Sequence, residues 1–378
     1  MVVRDSAGIT IVENDLNALA PACSVDHNAA VVIGSAVGDP AHELHRVFGA
    51  SRLSDGRIAL VNQGTQELRI YDVAGRFIRS AGRAGQGPGE FRDAFHLWVL
   101  PGDSIWVGDY RPWQFHVFSP EGNWVRTVRP TPEYANSPEV VNVLDDGSSV
   151  LASRPLIAYS RRFEVRDLTV VVHGPDGALR DTIGMYPNGR WGILSDEPGS
   201  PGLYPLFESF VRVDASASRV VIGHGSRPEF SIFDAASGFD LKRIIRWTTR
   251  SREVTAADIS AERERLVAPY AEMDPAMRKR LIDPLVSEQR PVADEFPAFS
   301  TVMLGRAGDL WVREYVKPRE PESNPWIVFG PDGQLQCRAA LPVVDQVLEF
   351  GPGYFLALDR DDLGVERVVM HHIAPRPY

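Results

Sequence analysis

The sequence repeats one local pattern six times: an apolar run, a short turn rich in Gly, Asp or Ser, and a second apolar run. These are the residues that tight turns between antiparallel strands require, so each copy predicts a β-hairpin. The six copies span residues 53–60, 100–107, 144–151, 213–222, 304–312 and 350–356. A pattern that recurs at this spacing indicates a repeat architecture built from blades or coils.

A second turn follows most of the hairpins and divides each repeat into four predicted strands. In these turns Gly supplies the backbone conformation that is needed, and Pro or Asp sets the preceding corner. They span residues 71–76, 118–123, 173–178, 233–238 and 329–334. Four strands per unit is the composition of a propeller blade. We therefore predict an all-β fold, a six-bladed β-propeller of four-stranded blades.

The last repeat contains only three predicted strands, the third of which lies in residues 366–373. We expect the apolar run 30–34, which precedes the first blade, to supply the missing outer strand and to close the ring. Closure would remove the exposed sheet edges that invite aggregation. The earlier run 8–12 is expected to lie against the outside of the ring.

One segment interrupts the β pattern between the fourth and fifth blades. Apolar residues recur there at steps of three, four and seven, which is helical periodicity. Thr255 can cap a first helix, and Pro269, Pro275 and Pro284 divide the rest of the segment, so two or three short helices are expected. This insertion would either cover the mouth of the central channel or pack on the flank of neighbouring blades.

Length and repeat number together predict a single domain over residues 1–378, because all-β repeat folds can hold such a length in one unit. Within it we place an N-terminal extension at 1–29 and the helical insertion at 248–295. A closed ring of this kind is expected to be a monomer.

Charge excludes some classes of partner. The chain has 40 Lys and Arg against 50 Asp and Glu, a formal net charge of −10, so no general attraction to nucleic acid or anionic membranes is expected. No run approaches the about 18 apolar residues of a membrane helix, and the first residues have no signal-peptide core.

Cys23 and Cys337 fit no zinc spacing. They would pair if the N-terminal segment packs near the fifth blade, but two independent buried thiols are the preferred interpretation.

Part of the chain resembles a known repeat. The strand 58–62, the run 68–72 that ends in Tyr-Asp, and the Gly-rich link 82–91 that ends in Phe are similar to an NHL repeat, and blade two continues the likeness to about residue 129. The whole chain resembles the bacterial six-bladed β-propeller proteins of unassigned function. That resemblance implies a propeller fold and a periplasmic or cell-envelope location, although the chain as written carries no export segment.

One end of the ring is expected to carry the functional surface. Strands alternate in direction within a blade, so the loops between second and third strands emerge on the same side as the links between blades. Aromatic rings beside guanidinium groups suit carbohydrates, peptides or anionic ligands, although solvated loop arginines are also common. The candidate ligand-binding residues on this side are Tyr110, Arg111, Trp113, Arg154, Arg227 and Tyr315.

A ring of polar residues is predicted at the channel mouth, where the second strands end. Its members are Asn62, Asp109, Ser153, His224, Glu314 and Asp359. Such a ring could hold Ca²⁺ through Asp109, Glu314 and Asp359, or supply His224 as a base. The alternative is that these side chains satisfy the amides of neighbouring loops.

The sequence contains no nucleophile elbow, no zinc-protease motif and no P-loop. The preferred hypothesis is therefore a non-catalytic propeller that binds a small molecule, a glycan or a protein, with no cofactor. The alternative is a metal-assisted lyase or lactonase with its site at the channel mouth, since NHL-like and related six-bladed propellers include such activities. A structural module of an envelope assembly is a third hypothesis, because a fold by itself assigns no function.

Overall fold

The computed structural model describes residues 1–16, 22–34, 38–110, 113–132, 139–154, 160–197 and 199–374. These residues form six sheets, each of which contains the four strands of one blade. The first strand of every blade borders a central channel. The predicted six-bladed β-propeller is confirmed.

The strands follow one another around the ring in chain order. The N-terminal segment contributes β1 (Val2–Ser6), β2 (Ile9–Asn14) and β3 (Val31–Ile33). Blade 1 consists of β4 (Val47–Arg52), β5 (Ile58–Asn62), β6 (Glu67–Tyr71) and β7 (Phe77–Ala81). Blade 2 consists of β8 (Ala94–Leu100), β9 (Ser104–Tyr110), β10 (Trp113–Phe118) and β11 (Trp124–Val128). Blade 3 consists of β12 (Glu139–Val143), β13 (Ser149–Ser153), β14 (Glu164–His173) and β15 (Leu179–Trp191).

The second half of the ring repeats this order. Blade 4 consists of β16 (Val211–Ser216), β17 (Arg219–His224), β18 (Glu229–Asp234) and β19 (Asp240–Trp247), with a 3-10 turn (Ala235–Ser237) before β19. Blade 5 consists of β20 (Phe299–Leu304), β21 (Leu310–Glu314), β22 (Pro325–Phe329) and β23 (Leu335–Ala340). Blade 6 consists of β24 (Gln346–Gly351), β25 (Tyr354–Arg360), β26 (Glu366–His372) and the N-terminal β3.

Turn residues end the strands where the sequence pattern predicts. In blade 1 the N–H of Leu53 donates to the carbonyl of Arg57 at 2.8 Å, and Gly56 takes a φ of +93° that other residues rarely adopt. The second turn of the blade is closed in the same way, by the N–H of Asp72 and the carbonyl of Arg76 at 2.8 Å. Short turns of this kind keep successive strands adjacent and antiparallel.

The hydrophobic core is divided among the interfaces between blades. Six of the buried clusters each join two neighbouring blades, and the stacked rings of Trp311 in blade 5 and Phe350 in blade 6, with centroids 4.0 Å apart, are an example. Each aromatic ring that is fully buried in this way contributes about 2–3 kcal/mol. Neighbouring blades are therefore held together by packing of their faces, and the first strand of each blade lies along the channel.

The ring is closed by the N-terminal strand. Strand β3 pairs antiparallel with β26, with Ile33 opposite Val368 and Val31 opposite Met370. The N–H of Ala30 extends the pairing by donating to the carbonyl of Met370 at 2.7 Å. The expected outer strand of blade 6 is confirmed.

The first two strands lie outside the ring, where the sequence predicts one strand at 8–12. Strand β2 runs parallel to β19, the outer strand of blade 4, with Val12 opposite Ile245. Strand β1 pairs with β2 and forms the exposed edge of this six-stranded sheet.

The cysteines correct one expectation. Cys23 and Cys337 form a disulfide with their Cα atoms 5.5 Å apart, so the preferred interpretation of two independent thiols is wrong. The reason is that the segment before β3 packs on blade 5, where the N–H of Cys23 donates to the carbonyl of Arg338 at 2.8 Å.

The interrupting segment forms short helices, as predicted. They are α1 (Ala256–Val267), a 3-10 turn (Ala268–Tyr270), α2 (Pro275–Leu281) and α3 (Asp283–Val286). Thr255 caps α1 in a capping box with Asp258, and Pro269, Pro275 and Pro284 occupy first turns. Within the described residues no helix combines the length and the apolar character needed to cross a bilayer.

Candidate functional site

The central channel contains a cavity of about 910 Å³ between the inner strands β4, β8, β12, β16, β20 and β24. We call the end at which the first and second strands of each blade are joined the hairpin side. The other end, where the links between blades run, is the loop side. The walls combine apolar and aromatic side chains with nine charged ones, six acids and three arginines.

On the hairpin side an arginine crosses the channel. Arg306 belongs to the first hairpin of blade 5, yet its Nη2 donates to the carbonyl of Val99 in blade 2 at 2.9 Å, and its Nη1 donates to the carbonyl of Arg52 in blade 1. Blades 2 and 5 are opposite in a ring of six. The guanidinium therefore narrows this end of the channel.

Glu349 of blade 6 anchors the same end. Its Oε2 lies 3.5 Å from Nε of Arg306, and its Oε1 accepts hydrogen bonds from the Tyr354 hydroxyl at 2.6 Å and the Arg52 N–H at 3.2 Å. The Ser51 hydroxyl also donates to this carboxylate. Both carboxylate oxygens of Glu349 are thus engaged by protein groups, and they hold Arg306, Tyr354 and the end of β4 in place on the hairpin side.

Aromatic rings border the loop side. Phe48 and Phe95 stack with their centroids 4.1 Å apart, and Tyr110 meets Phe95 edge-on at 4.8 Å. His96 lines the channel beneath them, and burial lowers its pKa to about 4, while a hydrogen bond to the backbone of Phe48 opposes the shift. His96 is therefore neutral at physiological pH and presents a polar, uncharged group to the cavity.

Two arginines near the loop side have no carboxylate partner among the described residues. Nε of Arg212 donates to the carbonyl of Ser300 at 2.7 Å, and its guanidinium lies over the ring of Phe210 at 5.6 Å. Arg313 is directly opposite Thr301 on the neighbouring strand and lines the cavity. Its guanidinium donates no hydrogen bond to a described residue and forms no ion pair with one. Burial lowers the pKa of both groups, although each remains charged at neutral pH.

Asp214 is the most perturbed acid of the channel wall. Its carboxyl accepts hydrogen bonds from the N–H of Leu304 at 2.6 Å and from the Asn142 amide at 3.5 Å. Burial nevertheless raises the pKa of Asp214 to about 7, because no cation compensates the charged form. Burial also raises the pKa of Asp145, and the nearby Arg306 opposes that shift.

The structure brings some of the predicted ligand-binding residues together. Tyr110 and Trp113 have ring centroids 4.7 Å apart, and Arg154 pairs with Glu139 of the channel wall at 3.2 Å. Burial raises the pKa of Tyr110 to about 12, with Glu139 adding to the shift. These three residues lie around one sector of the loop-side mouth.

The described part of the structure does not bring the other predicted ligand-binding residues into this group. Arg111 lies outside the described residues, and Arg227 is exposed in the loop after β17. Tyr315 stacks on Phe296 at 5.6 Å beneath the helical insertion, where burial raises its pKa to about 12.

The predicted polar ring is placed at the ends of the second strands, but none of its members lines the cavity. Asn62 accepts from the His45 N–H at 2.8 Å, Asp109 accepts from the Asp93 N–H at 2.8 Å, and His224 contacts the Ser226 hydroxyl at 2.7 Å. Glu314 lies 3.9 Å from Arg338, Asp359 lies 2.7 Å from Arg367, and Ser153 ends β13. Five of the six are thus engaged with neighbouring groups. Across the described residues no cluster of three or more His, Cys, Asp or Glu is arranged to hold a metal.

The helical insertion packs beside the channel. Leu206, Phe207 and Phe296 form a buried cluster, and Ile259 and Leu266 of α1 pack against it. None of the described residues in 248–295 lines the cavity. The insertion therefore packs on the link that precedes blade 4 and on Phe296 and Tyr315 of blade 5, on the loop side of the ring.

Sequence reasoning predicted none of the charged residues that line the cavity, among them Asp214, Arg313 and Glu349. Each lies within a strand whose other residues are largely apolar, next to the axis. No local signal separates such residues from charged residues on the solvent face of a strand.

Comparisons with known proteins give the fold and no family. No family model matches the chain, and no curated protein sequence matches it. A solved member of the DUF4221 family from Bacteroides vulgatus is similar over 95% of this chain and 100% of that one, at 12% identity and a TM-score of 0.51. At that identity the likeness supports the propeller fold alone.

Two further solved structures are similar at lower scores. A candidate exported protein of Bacteroides fragilis covers 97% of this chain and 100% of its own, at 10% identity and a TM-score of 0.49. A gluconolactonase from Xanthomonas campestris covers 93% of this chain and 100% of its own, at 11% identity and a TM-score of 0.43. The NHL likeness stays a sequence resemblance.

Proposed function

We propose that the protein is a non-catalytic binding propeller that takes a small ligand into its central channel from the loop side. The observation that carries the proposal is the cavity of about 910 Å³, which lies within the about 300–1,000 Å³ range of small-molecule sites. Arg306 narrows the hairpin side, so the loop side is the favoured entrance.

The loop-side mouth supplies suitable contacts. Tyr110 and Trp113 offer aromatic surface, and Arg154 and Glu139 offer polar groups at the rim. Arg111 and Arg227 stay predictions from the sequence. Such a mouth suits a sugar or an organic acid better than a large protein partner, because the other contacts that the site offers lie inside the channel.

No specific observation favours the metal-assisted lyase or lactonase alternative. Asp109, Glu314 and Asp359 each contact another protein group, and the Nδ1 of His224 contacts Ser226. The alternative would require these groups to rearrange around an ion.

We also infer that the protein works outside the cytoplasm. The Cys23–Cys337 disulfide supports this location, since such bonds persist in oxidising compartments.

Filling the channel tests the proposal. Thr301 lines the cavity on β20, so Thr301→Trp would occupy its loop-side half. Thr182→Trp is a matched control, because Thr182 is exposed on the outer strand β15. Ligand-observed NMR of a fragment set containing sugars, sugar acids and aromatic acids should give hits on the wild type and on Thr182→Trp.

The same hits should be lost in Thr301→Trp. Folding of each variant is checked by its thermal unfolding midpoint. If no fragment binds the wild type, or if the hits bind Thr301→Trp equally well, the channel is not the ligand site and the proposal is wrong.

A further inference from the structure

Arg313 carries a charge, whereas the three residues before it on the same strand are apolar. It lies on β21 in the sequence Leu-Trp-Val-Arg-Glu, opposite Thr301 on β20 and Trp326 on β22. Residues that are directly opposite across a sheet share a face. Trp326 belongs to the buried cluster between blades 5 and 6, so the guanidinium of Arg313 lies on the side of blade 5 that faces blade 6. From there it borders the channel.

The charge of Arg313 is partly buried and unpaired within the described residues. Arg190 and Arg306 are also partly buried, but they meet the carboxylates of Glu208 at 2.8 Å and Glu349 at 3.5 Å. Arg212 donates to a backbone carbonyl instead. An unpaired buried charge is destabilising, because the lost hydration is not replaced. Nothing in the packing of blade 5 compensates for it.

The groups near Arg313 are committed to other partners. The indole N–H of Trp326 donates to Oδ1 of Asn324 at 2.8 Å, and Nδ2 of Asn324 donates to the carbonyl of Pro342 at 2.9 Å. Asp345, the acid of the adjoining link, pairs with Arg360 at 2.7 Å. The Arg313 guanidinium is therefore left with its donors directed at the cavity.

The remaining charges of the channel limit what the ligand can be. Asp103, Glu139, Asp145, Asp214, Asp345 and Glu349 line the cavity, against the three arginines Arg52, Arg306 and Arg313. A ligand with several negative charges would be repelled by this excess of acids. A single carboxylate can pair with the planar guanidinium through two parallel hydrogen bonds.

We propose that Arg313 binds the carboxylate of a small monoanionic ligand, whose uncharged body lies in the channel beside Trp326 and Met303. This inference rests on the proposed function and names the class of ligand, an organic acid with one carboxylate. Arg212 of blade 4, which donates to the carbonyl of Ser300, adds positive potential at the loop side of the channel.

Pairs of probes that differ in charge test the assignment. Benzoate is compared with benzamide, and glucuronate with glucose, by NMR titration of the wild type, Arg313→Gln and Arg313→Lys. At least one of the two acids should bind the wild type about tenfold or more tightly than its neutral counterpart, because its carboxylate forms a charge-assisted hydrogen bond that the neutral probe lacks. Arg313→Gln should remove that preference, and Arg313→Lys should keep only part of it. Arg76→Gln, on an exposed turn of blade 1, should change nothing.

Thermal unfolding gives a second readout. Arg313→Gln removes an unpaired charge, so its unfolding midpoint without ligand should equal or exceed that of the wild type. The acid that binds should raise the midpoint of the wild type and leave that of Arg313→Gln unchanged.

Three results would overturn the inference: no preference for either acid in the wild type, an unchanged preference in Arg313→Gln, or a lowered midpoint in that variant without ligand. Comparison with Thr301→Trp separates the two proposals. If Thr301→Trp abolishes acid binding and Arg313→Gln does not, only the role of Arg313 is wrong. If neither variant changes binding, the channel itself is not the site.

Discussion

Asp214 illustrates how position on an inner strand changes the chemistry of a single residue. The side chain lies on β16 at the channel wall, where it keeps hydrogen bonds to Leu304 and Asn142 but meets no cation among the described residues. Burial then favours the protonated carboxyl and raises its pKa to about 7. The native protein therefore holds a proton at a pH where an exposed aspartate would have lost it.

This difference predicts a pH dependence of stability. In the unfolded chain the carboxyl ionises near pH 4. Between about pH 4 and pH 7 the native state binds more protons than the unfolded state, so the free energy of unfolding should fall as the pH rises, by at most about 1.4 kcal/mol per pH unit. Asp214→Asn should lack this fall, as measured by urea unfolding at pH 5 and pH 7.5.

The control for that measurement is Asp240→Asn, at an exposed position on β19. It should keep the wild-type difference between the two pH values. Equal differences in the wild type and in Asp214→Asn would show that Asp214 ionises normally in the folded protein.

Residues of the site were harder to predict than residues of the fold. Gly56 and Gly177 could be assigned to turns because only a few residue types accept a positive φ. Arg313 could not be assigned to the channel, since an arginine on a strand has the same local pattern whether it points to solvent or to the axis. Tyr315 was expected on the open mouth, but the insertion that covers it is distant in sequence.

At the scale of elements, the insertion shows how a short helix is stabilised by its own first turn and by the surface on which it packs. Helix α1 has 12 residues, a length that is marginal for an isolated helix in water. The Thr255 hydroxyl accepts from the N–H of Asp258 at 3.3 Å, and Asp258 accepts from the N–H of Thr255 at 3.1 Å. Ile259 and Leu266 then fix the helix on the ring.

Removing the cap should loosen this element without affecting the blades. Thr255→Ala should destabilise α1 by about 1 kcal/mol, the usual cost of losing an N-cap hydroxyl. Hydrogen exchange should become faster in Ala256–Val267 and stay unchanged in β5 and β21. Thr255→Ser, which keeps the hydroxyl, should behave as the wild type. Equal exchange in Thr255→Ala and the wild type would mean that packing alone sets the stability of the helix.

Elements with a local signal were predicted with correct positions, and contacts that depend on distant segments were not. The hairpins, the second turns and the capped helix are specified by turn residues, prolines and periodicity within a short window. The crossing of Arg306 from blade 5 to Val99 depends on the diameter of the closed ring, which no local pattern contains.

At the scale of the whole molecule, the disulfide reinforces the closure of the ring. Cys23 lies shortly before the closing strand β3, and Cys337 lies on β23 of the neighbouring blade 5. A bond between residues so far apart in sequence restricts the unfolded chain strongly and holds the closing segment in place.

Loss of the bond should therefore lower global stability. Changing both Cys23 and Cys337 to Ser should lower the free energy of unfolding by about 2–5 kcal/mol, the usual range for a native disulfide. Thermal unfolding of the wild type should shift downward with a reductant, whereas the double variant should not respond. A wild type that is insensitive to reductant, with both thiols reactive to a thiol reagent after unfolding, would show that the bond is not formed.

Closure by β3 also sets the order of events during synthesis. Strand β3 of blade 6 is synthesised and leaves the ribosome long before its partner β26. At usual elongation rates the interval is roughly tens of seconds, during which β3 lacks its neighbour. A nascent or truncated polypeptide without β26 should thus expose the open edges of β3 and β25, and the propeller can be completed only once β26 has been made.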